Sequence, residues 1–473
     1  MKLKTIVVFL LACAWAGAQV PPPPQPVPNG PAPVLQQGFQ VEYSGSVPTG
    51  QATATPIAIS LRDAIQRGLR YNLGILVNTD ITNVSAADRR RTLSTLLPQI
   101  SAGVTQNSEQ VSLVAFGLTL PGFPRIVGPF SYQNARAYFQ QTIYDRPSLK
   151  NLRSANESLK AARLTAQDAR NIVVQAVSNG YLAVITNTAR VAAIQAEVDL
   201  AQALYDRAND QHRAGTVAAI DVLRAGVQLK TEQQRLLAQK NQVEKDKLTL
   251  ARAIGLPTGQ QFTLSDTLPF APITVSQYDL LHAAYDRRPD YRAAQANVRA
   301  AEFALDSAKA EHYWPQAVVE GDYGDIGKTL ANSHGTYTLV AGVRFPIFAG
   351  NRARADIAAA EAVLTDRRNA VEDLRGRIDY EVRSALLDLQ SAADQVAVAR
   401  SNVDLATQTL NQARDRFNAG VTDNIEAVQA QQLLASANDT FISSLSAHNA
   451  AKIALATAVG TAEEDVPRYL NLK

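Results

Sequence analysis

The sequence has very little cysteine, few aromatic residues and no long apolar run beyond its N-terminus. Its one cysteine, Cys13, lies in the first 18 residues, so the rest of the chain can form neither a disulfide nor a cysteine metal site. Aromatic residues make up 6% and charged residues 19% of the 473 positions, a profile that favours long helices over compact globules. After the N-terminus no stretch reaches roughly 18 consecutive apolar residues, which excludes helical membrane spans there.

Charge clusters and catalytic motifs are also missing from the sequence. The formal net charge is +3, and Lys and Arg are interleaved with Asp and Glu, so nucleic acid is not expected as a partner. The sequence contains no H-E-x-x-H, G-x-S-x-G, phosphate-binding G-x-x-x-x-G-K-S/T or C-x-x-C motif. We therefore expect no enzyme activity, no cofactor and no metal.

The N-terminus has the features of an export signal. Two lysines, an apolar run from Ile6 to Trp15 and Ala16-Gly17-Ala18 predict a cleaved secretory signal over residues 1–18. A second interpretation is lipidation at Cys13, because Leu10 to Cys13 resembles a lipobox, and both interpretations export the protein. Residues 19–56 then form a proline-rich leader, in which proline prevents a stable helix or sheet.

The remaining chain is a duplicated unit. Leu97-Pro98-Gln99 matches Trp314-Pro315-Gln316 at a separation of 217, whereas Ala214-Gly215 matches Ala419-Gly420 at 205. One loop of the first copy is therefore about a dozen residues longer, as loops tolerate. The predicted order is a first copy at 57–256, a connector at 257–272, a second copy at 273–461 and a C-terminal tail at 462–473.

Each copy is predicted to run as helix, strand pair, long helix, tight turn and helix. In the first copy, helices are expected over 60–97, from Pro147 to Arg213 and over 217–254. Apolar residues at seven-residue spacing mark a coiled-coil seam along each long helix. The first seam comprises Leu152, Leu159, Ala166, Val173 and Gly180, with Ala155, Ala162, Ala169, Ala176 and Ala183 three residues on. The second comprises Ile357, Leu364, Val371, Ile378, Ala385, Ala392 and Ala399.

Four segments of alternating polarity are predicted to be strands with one apolar and one polar face. They lie at about 98–108, 132–143, 315–323 and 336–347. Four strands cannot close a membrane barrel, for which about eight are needed, so several chains must contribute. Three chains would supply twelve. A soluble arrangement, with two small hairpins lying on a helical bundle, is the alternative.

The chain resembles the TolC family of outer-membrane efflux proteins over most of its length, from about Ile57 to Gly460. The resemblance is carried by five elements in order. They are the opening LRDAIQRGLRYN with Asn72, LLPQI at Leu96 to Ile100, FPIFAGNRARADIAAAEA at Phe345 to Ala362, HRAGTVAAIDVLRA at His212 to Ala225, and FNAGVTDNIEAVQAQ at Phe417 to Gln431.

The resemblance implies a mainly helical fold with a membrane β-barrel: a homotrimer whose twelve strands, four per chain, stand on a long α-helical coiled-coil tunnel in the periplasm. It implies a location in the outer membrane, among its lipids, and a passive exit duct for efflux or type I secretion. A periplasmic adaptor and an inner-membrane pump of the RND or ABC type are the implied partners. A periplasmic coiled-coil scaffold without a pore is the alternative function.

The resemblance also implies a constriction and an adaptor-docking site. Aligning the turn glycines places Glu426 and Asp221 at acidic pore-constriction positions, whereas Gln429 departs from the family's second acidic position. We therefore expect one acidic ring, from Glu426, with Asp221 nearby. The adaptor-docking turns are Arg213, Ala214, Gly215 and Thr216 in the first copy and Asn418, Ala419, Gly420 and Val421 in the second.

Overall fold

The computed structural model describes residues 43–117, 124–267, 270–273, 275–419, 421 and 424–470. The predicted signal at 1–18 with Cys13, most of the leader, and Gly420 lie outside the described residues. The described chain divides into two compact units. The sheet unit comprises residues 93–149 and 310–349, and the helical unit comprises 43–92, 150–309 and 350–470, apart from the gaps above.

Helices account for most of the described chain. They are α1 (Leu61–Tyr71), α2 (Leu73–Ser94), α3 (Arg146–Arg213), α4 (Ala219–Ile254), α5 (Gln277–Arg287), α6 (Pro289–Tyr313), α7 (Arg352–Asn418), α8 (Asn424–Val459) and α9 (Ala462–Leu470). The strands are β1 (Ile57–Ile59), β2 (Gln99–Ser112), β3 (Ile126–Asp145), β4 (Phe262–Leu264), β5 (Gln316–Gly327) and β6 (Ser333–Arg344). No helix among the described residues is long and apolar enough to cross a membrane.

The single helix predicted over 60–97 is in fact two helices, α1 and α2, that meet at Asn72. Asn72 has extended backbone angles, and its buried side-chain amide donates to the carbonyl oxygens of Tyr43 (2.7 Å) and Ala253 (3.2 Å). The second copy has the same break at Arg288, whose Nη1 donates to the carbonyl oxygen of Ala458 at 2.9 Å. Ala253 and Ala458 are equivalent in the duplication, so both copies place the break against the same part of the fold.

The two long helices follow the predicted seams. Leu159, Ala169 and Val173 are buried along α3, and Leu364 and Ile378 are buried along α7. Helices of 68 and 67 residues can persist because each buries an apolar stripe against neighbouring helices along its length.

The sheet has the order β2-β3-β5-β6, and all its pairs are antiparallel. Strands β2 and β3 have 14 and 20 residues, whereas β5 and β6 have 12 each, so part of the extra length of the first copy lies in its strands. The last strand was predicted to reach residue 347, but β6 ends at Arg344. Pro346 follows shortly, and proline supplies no amide hydrogen to a strand ladder.

The strand register separates the sheet into the two predicted faces. Val104 lies opposite Ala135, Ala137 opposite Tyr323, and Tyr323 opposite Tyr337, so these apolar side chains share one face. On the other face, a cross-strand row consists of Gly103, Arg136, Gly324 and Thr336. Because side chains alternate along a strand, every second residue repeats this division as far as the register shifts between Glu109 and Val111 and between Thr142 and Tyr144.

In the helical unit, α3 lies between two helices along its first half and between two other helices along its second half. Along its first half, Arg89 of α2 donates to Asn156 (2.6 Å), and Arg299 of α6 pairs with Glu157 (2.9 Å). Along its second half, α4 contributes Leu229 and Leu236 to a buried cluster with Ile194, Val198 and Ala201 of α3. Helix α8 contacts the other side of this half, where Thr186 donates to Ser446 at 3.0 Å.

Helix α7 packs on the far sides of α6 and α8. Leu364 of α7 is buried with Ala301 and Leu305 of α6, and Ile378 is buried with Leu455 of α8. The helix order is therefore α2-α3-α6-α7 in one half of the unit and α4-α3-α8-α7 in the other.

The predicted connector and tail both contain regular structure. Residues 262–264 form β4, which pairs in parallel with β1, and residues 462–470 of the tail form α9. Phe262, Val466 and Leu470 are buried in one core cluster with Tyr181 of α3.

Candidate functional site

The turn after α3 is held by main-chain hydrogen bonds that require a glycine. The amide of Thr216 donates to the carbonyl oxygen of Gln211, and that of Gly215 to His212, both at 2.9 Å. This pair of bonds is the Schellman pattern, which satisfies carbonyl groups at the end of a helix. Gly215 has φ +77°, a left-handed conformation that costs little only for glycine. Ala214 and Thr216 are exposed, and Arg213 lies 3.9 Å from Asp210.

The turn after α7 repeats this pattern. The amide of Val421 donates to the carbonyl oxygen of Arg416 at 3.0 Å, which corresponds to the bond between Thr216 and Gln211. Ala419 donates to Asp415 at 3.0 Å, and α7 ends at Asn418. Gly420, the fourth predicted docking residue here, lies outside the described residues. Ala419 and Val421 are exposed, so the described parts of both turns are accessible.

Both predicted constriction carboxylates lie in the first turn of a returning helix, Asp221 in α4 and Glu426 in α8. A carboxylate is favoured there by the helix dipole. Each also faces an arginine. Asp221 lies 3.5 Å from Arg224 on its own helix, whereas Glu426 lies 3.4 Å from Arg416 on the preceding helix. The two positions are therefore equivalent in the fold but differ in their cationic partner.

A buried charged network between α3 and α4 was not predicted. Nη1 of Arg235 lies 3.1 Å from Glu197 of α3 and 2.8 Å from Glu232 of α4. Only 9% and 4% of the two glutamate side chains is exposed. Gln228 donates to Glu232 at 2.8 Å, and Gln431 of α8 donates to the carbonyl oxygen of Glu197 at 3.2 Å. The network thus joins three helices.

Burial is the main cause of a raised pKa at Glu197. It raises the pKa of this carboxyl from its ordinary value to about 7; Arg235 opposes the shift, and Glu232 adds to it. The sequence contains a signal for this buried network, because the seven-residue row of alanines that ends at Ala183 continues to Arg190 and Glu197. Polar residues in a seam position indicate a buried polar contact.

On the polar face of the sheet, Arg136 connects three strands. Its Nε donates to Asn134 of β3 at 3.2 Å, its Nη2 donates to Thr336 of β6 at 2.7 Å, and it forms an ion pair with Asp322 of β5. Gly324 lies between Arg136 and Thr336, and a Cβ there would be 2.8 Å from the Cβ of Arg136. The glycine therefore leaves room for the guanidinium to reach across β5.

The described chain combines a duplicated set of helical hairpins with an amphipathic four-stranded sheet. It therefore belongs to the class of mainly helical proteins with a strand-containing unit. More particularly, the chain belongs to the outer membrane efflux protein family, whose model matches residues 83–256 and 280–461. The resemblance inferred from the sequence motifs is thereby confirmed.

Relatives of known name are distant in sequence. Outer membrane protein OprJ of Pseudomonas aeruginosa is 26% identical over 295 residues, which are 59% of this chain and 59% of OprJ. The chain thus spans about three fifths of OprJ. The toluene efflux pump outer membrane protein TtgF of Pseudomonas putida is 22% identical, and the match covers 85% of this chain and 83% of TtgF.

Solved structures share the fold over a greater length. The CmeC outer membrane channel of Campylobacter jejuni superposes with a TM-score of 0.74 at 15% identity, and the match covers 95% of this chain and 97% of CmeC. This likeness establishes the mainly helical fold with its strand-containing unit.

Proposed function

We propose that the chain is the outer-membrane exit duct of a tripartite efflux or type I secretion system. The amphipathic sheet carries this proposal. One face is lined by Val104, Ala137, Tyr323 and Leu339, whereas the other holds the charged group of Arg136 and Asp322. An apolar face suits lipid, and a polar face suits a water-filled lumen.

The duct is proposed to be a homotrimer. Strands β2 and β6 are the edges of the sheet, and each has only one strand partner in the described chain. Unpaired strand edges are not stable in lipid, so a spanning sheet must close. Three copies supply twelve strands, the barrel that the family resemblance implies, and the helical unit then lies on the periplasmic side.

The helix turns are proposed to dock a periplasmic adaptor, through which an inner-membrane pump of the RND or ABC type supplies substrate. The two turns repeat one hydrogen-bonding pattern and are exposed in their described parts. A trimer would present six such turns in two alternating kinds. Docking at the turns requires no catalytic group, which fits a passive duct.

The membrane assignment can be tested with one substitution on each face of the sheet. Leu339→Arg changes the apolar face at the middle of β6 and should block insertion, because arginine facing lipid near mid-bilayer costs about 2 to 4 kcal/mol. Thr338→Arg, on the polar face opposite Asp322, should be tolerated. Recovery of detergent-extractable trimer from outer membranes measures the difference. Equal insertion of the two variants would contradict the proposal, and extraction of the wild type by alkali alone would favour a periplasmic scaffold.

The constriction is proposed to form from Glu426, with Asp221 nearby, and to favour cations. The partner arginine makes a matched test available, because Arg416 lies 3.4 Å from Glu426. In planar bilayers with a salt gradient, Glu426→Gln should weaken cation selectivity and block by multivalent cations, whereas Arg416→Gln should strengthen both. Unchanged selectivity in both variants would assign Glu426 to a solvated helix start instead.

A further inference from the structure

An arginine without an acidic partner lies at one end of the sheet unit. Arg146 is the first residue of α3 and directly follows β3, and Trp314 stands between α6 and β5. The guanidinium carbon of Arg146 is 3.9 Å from the centre of the Trp314 ring. Arg146 is partly exposed and forms no ion pair among the described residues. Stacking on an aromatic ring engages the face of a guanidinium and leaves its N–H groups, which lie in the plane, able to bind an anion.

The stacked pair lies at the edge of the apolar face of the sheet. Tyr144 is opposite Ala317, which belongs to the apolar face of β5. Asp145 turns to the polar face, where its carboxylate accepts from the side chain of Gln316 at 3.3 Å. Because side chains alternate along a strand, Arg146 returns to the side of Tyr144. The cation therefore lies just beyond the end of the apolar surface.

Aromatic residues are present at both ends of this apolar face. Tyr323 and Tyr337 are opposite each other at one end and are 66% and 79% exposed. Tyr313 and Trp314 are 69% and 42% exposed at the other end. Trp314 precedes Tyr323 by nine residues, which corresponds to about 30 Å of extended chain and about 23 Å of height at the tilt of a barrel strand. This height matches the apolar band of about 25 Å in membrane barrels, so both ends lie at the level of lipid headgroups.

The duplication shows that the arginine and the tryptophan are not required by the fold. The counterparts of Arg146 and Trp314 in the other copy are Gly350 and Leu97. Each counterpart also stands where a strand and a helix meet. These junctions thus form without a guanidinium or an indole, and the stacked pair is an addition to the shared plan.

We propose that Arg146 and Trp314 bind the phosphodiester group of a glycerophospholipid in the periplasmic leaflet of the outer membrane. The inference rests on the proposed function, because it requires the apolar face of the sheet to lie in lipid. The guanidinium donates to the phosphate oxygens as a planar fork, and the indole holds that fork in one orientation. The acyl chains then lie along Tyr144 and Ala317. Each chain carries one such site.

Trp314 is itself a probe of this site, because the sequence has only one other tryptophan, Trp15. The full-length Trp15→Phe protein, extracted in detergent, is titrated with phosphatidylglycerol or with diacylglycerol that carries the same brominated acyl chains, and quenching of indole fluorescence is recorded. Phosphatidylglycerol should quench at an about fivefold lower mole fraction, the effect of one basic residue at an anionic lipid. Arg146→Gln should remove this difference and leave quenching by diacylglycerol unchanged.

The matched control is Arg375→Gln within the helical unit. Arg375 also lies over an aromatic ring, 5.8 Å from the centre of Tyr285, and its removal should leave the preference for phosphatidylglycerol intact. Loss of the preference in this variant would mean that the lipid responds to the total charge of the protein, which would overturn the site. Reversal of the quenching by inorganic phosphate would also overturn it, because the site would then take a soluble anion.

The outcomes separate this inference from the proposed function. Equal quenching by the two lipids in the Trp15→Phe protein would overturn the phosphodiester site alone, since Trp314 would still contact lipid. This comparison needs no substitution at the site, so it does not depend on the folding of Arg146→Gln. Absence of quenching by either lipid would also overturn the site. Only if alkali alone then extracted the protein from membranes would the membrane assignment be overturned as well.

Discussion

The two copies of the duplicated unit share one backbone plan but differ in what their helical hairpins bury. In the first copy, Glu197, Glu232 and Arg235 form a charged network between α3 and α4. The equivalent positions of the second copy are Asn402, Ala437 and Thr440. Asn402 and Thr440 line an open groove of about 580 Å³ beside α7 and α8, with Ser391 and Ser444.

This difference shows that duplication preserves the spacing of helices more strictly than the chemistry between them. At the equivalent positions, Asn402, Ala437 and Thr440 place alanine and small polar side chains between α7 and α8 in place of the charged network. The first hairpin instead holds two buried carboxylates on one guanidinium, so a single cation compensates both of them. At these three positions we expect the first hairpin to respond strongly to substitution and pH, and the second to respond weakly.

The largest effect is expected from removing the cation of the network. Arg235→Met keeps an apolar stem but leaves Glu197 and Glu232 buried without their counter-charge, which should cost about 4 kcal/mol near pH 8. The matched change in the second copy, Thr440→Val, should cost less than about 0.5 kcal/mol. Thermal denaturation in detergent, followed by circular dichroism, compares the two. Equal losses would mean that the network does not hold the first hairpin together.

Much of this architecture follows from local sequence patterns. Apolar residues at seven-residue spacing predicted both long helices. Alternation of polar and apolar residues predicted four strands with the correct faces. Both predictions succeed because each pattern repeats over many residues. The turn at Gly215 carries a local glycine signal. These features depend on residues that are close together in the sequence, so a single sequence is enough to predict them.

The features that sequence analysis missed depend on distant partners. The break at Asn72 is fixed by a hydrogen bond to Ala253, and β1 finds β4 about 200 residues later with only three residues in each strand. The partners of Glu426 and Glu197 lie on neighbouring helices, so a list of acidic residues does not reveal them. Helical periodicity passes through Asn72 without interruption, which is why one helix was predicted there.

A second contrast concerns lysines at equivalent positions. Lys452 of α8 is fully buried, and its Nζ has no hydrogen-bond partner among the described residues. Lys247 of α4, its counterpart, pairs with Glu244 at 2.8 Å. Lys452→Met should therefore stabilise the protein by about 2 kcal/mol at pH 7, whereas Lys247→Met should change stability by less than about 0.5 kcal/mol.

The sign of the pH dependence provides a control for the Lys452 prediction. Burial lowers the pKa of Lys452 to about 8, so the folded state binds this proton less tightly than the unfolded state. The penalty is complete below about pH 8 and fades as the pH rises towards the ordinary lysine value of 10.5. The advantage of Lys452→Met should shrink over that range, and a constant advantage would indicate better packing alone.

The stability contributed by the charged network should also depend on pH. The direction is opposite to that for Lys452, because the buried group is an acid and not a base. Because the pKa of Glu197 is raised from 4.5 to about 7, the folded state binds the proton more tightly, and stability falls as the pH rises through this window. Glu197→Gln removes the penalty and should gain about 1.5 kcal/mol at pH 8 and almost nothing at pH 4.5. Melting midpoints at the two pH values test this. Glu244→Gln, which changes an exposed carboxylate, should show no such difference.

The smallest effect is expected where the two copies share a sequence pattern but not its hydrogen bonds. Ser60 and Asp63 form a capping box at the start of α1: the serine hydroxyl accepts from the amide of Asp63, and the carboxylate accepts from the amide of Ser60, both at 3.2 Å. Ser276 and Asp279 repeat the residues at α5, but Ser276 makes no side-chain cap there.

Ser60→Ala should therefore cost about 1 kcal/mol, within the usual range for a cap. Ser276→Ala should cost only a few tenths of that, about 0.3 kcal/mol, because the hydroxyl it removes satisfies no helix amide. Melting midpoints of the two variants, measured side by side, decide the matter. Equal losses at both positions would mean that the second copy forms its cap in solution, and that the copies differ less at their helix starts than at their hairpins.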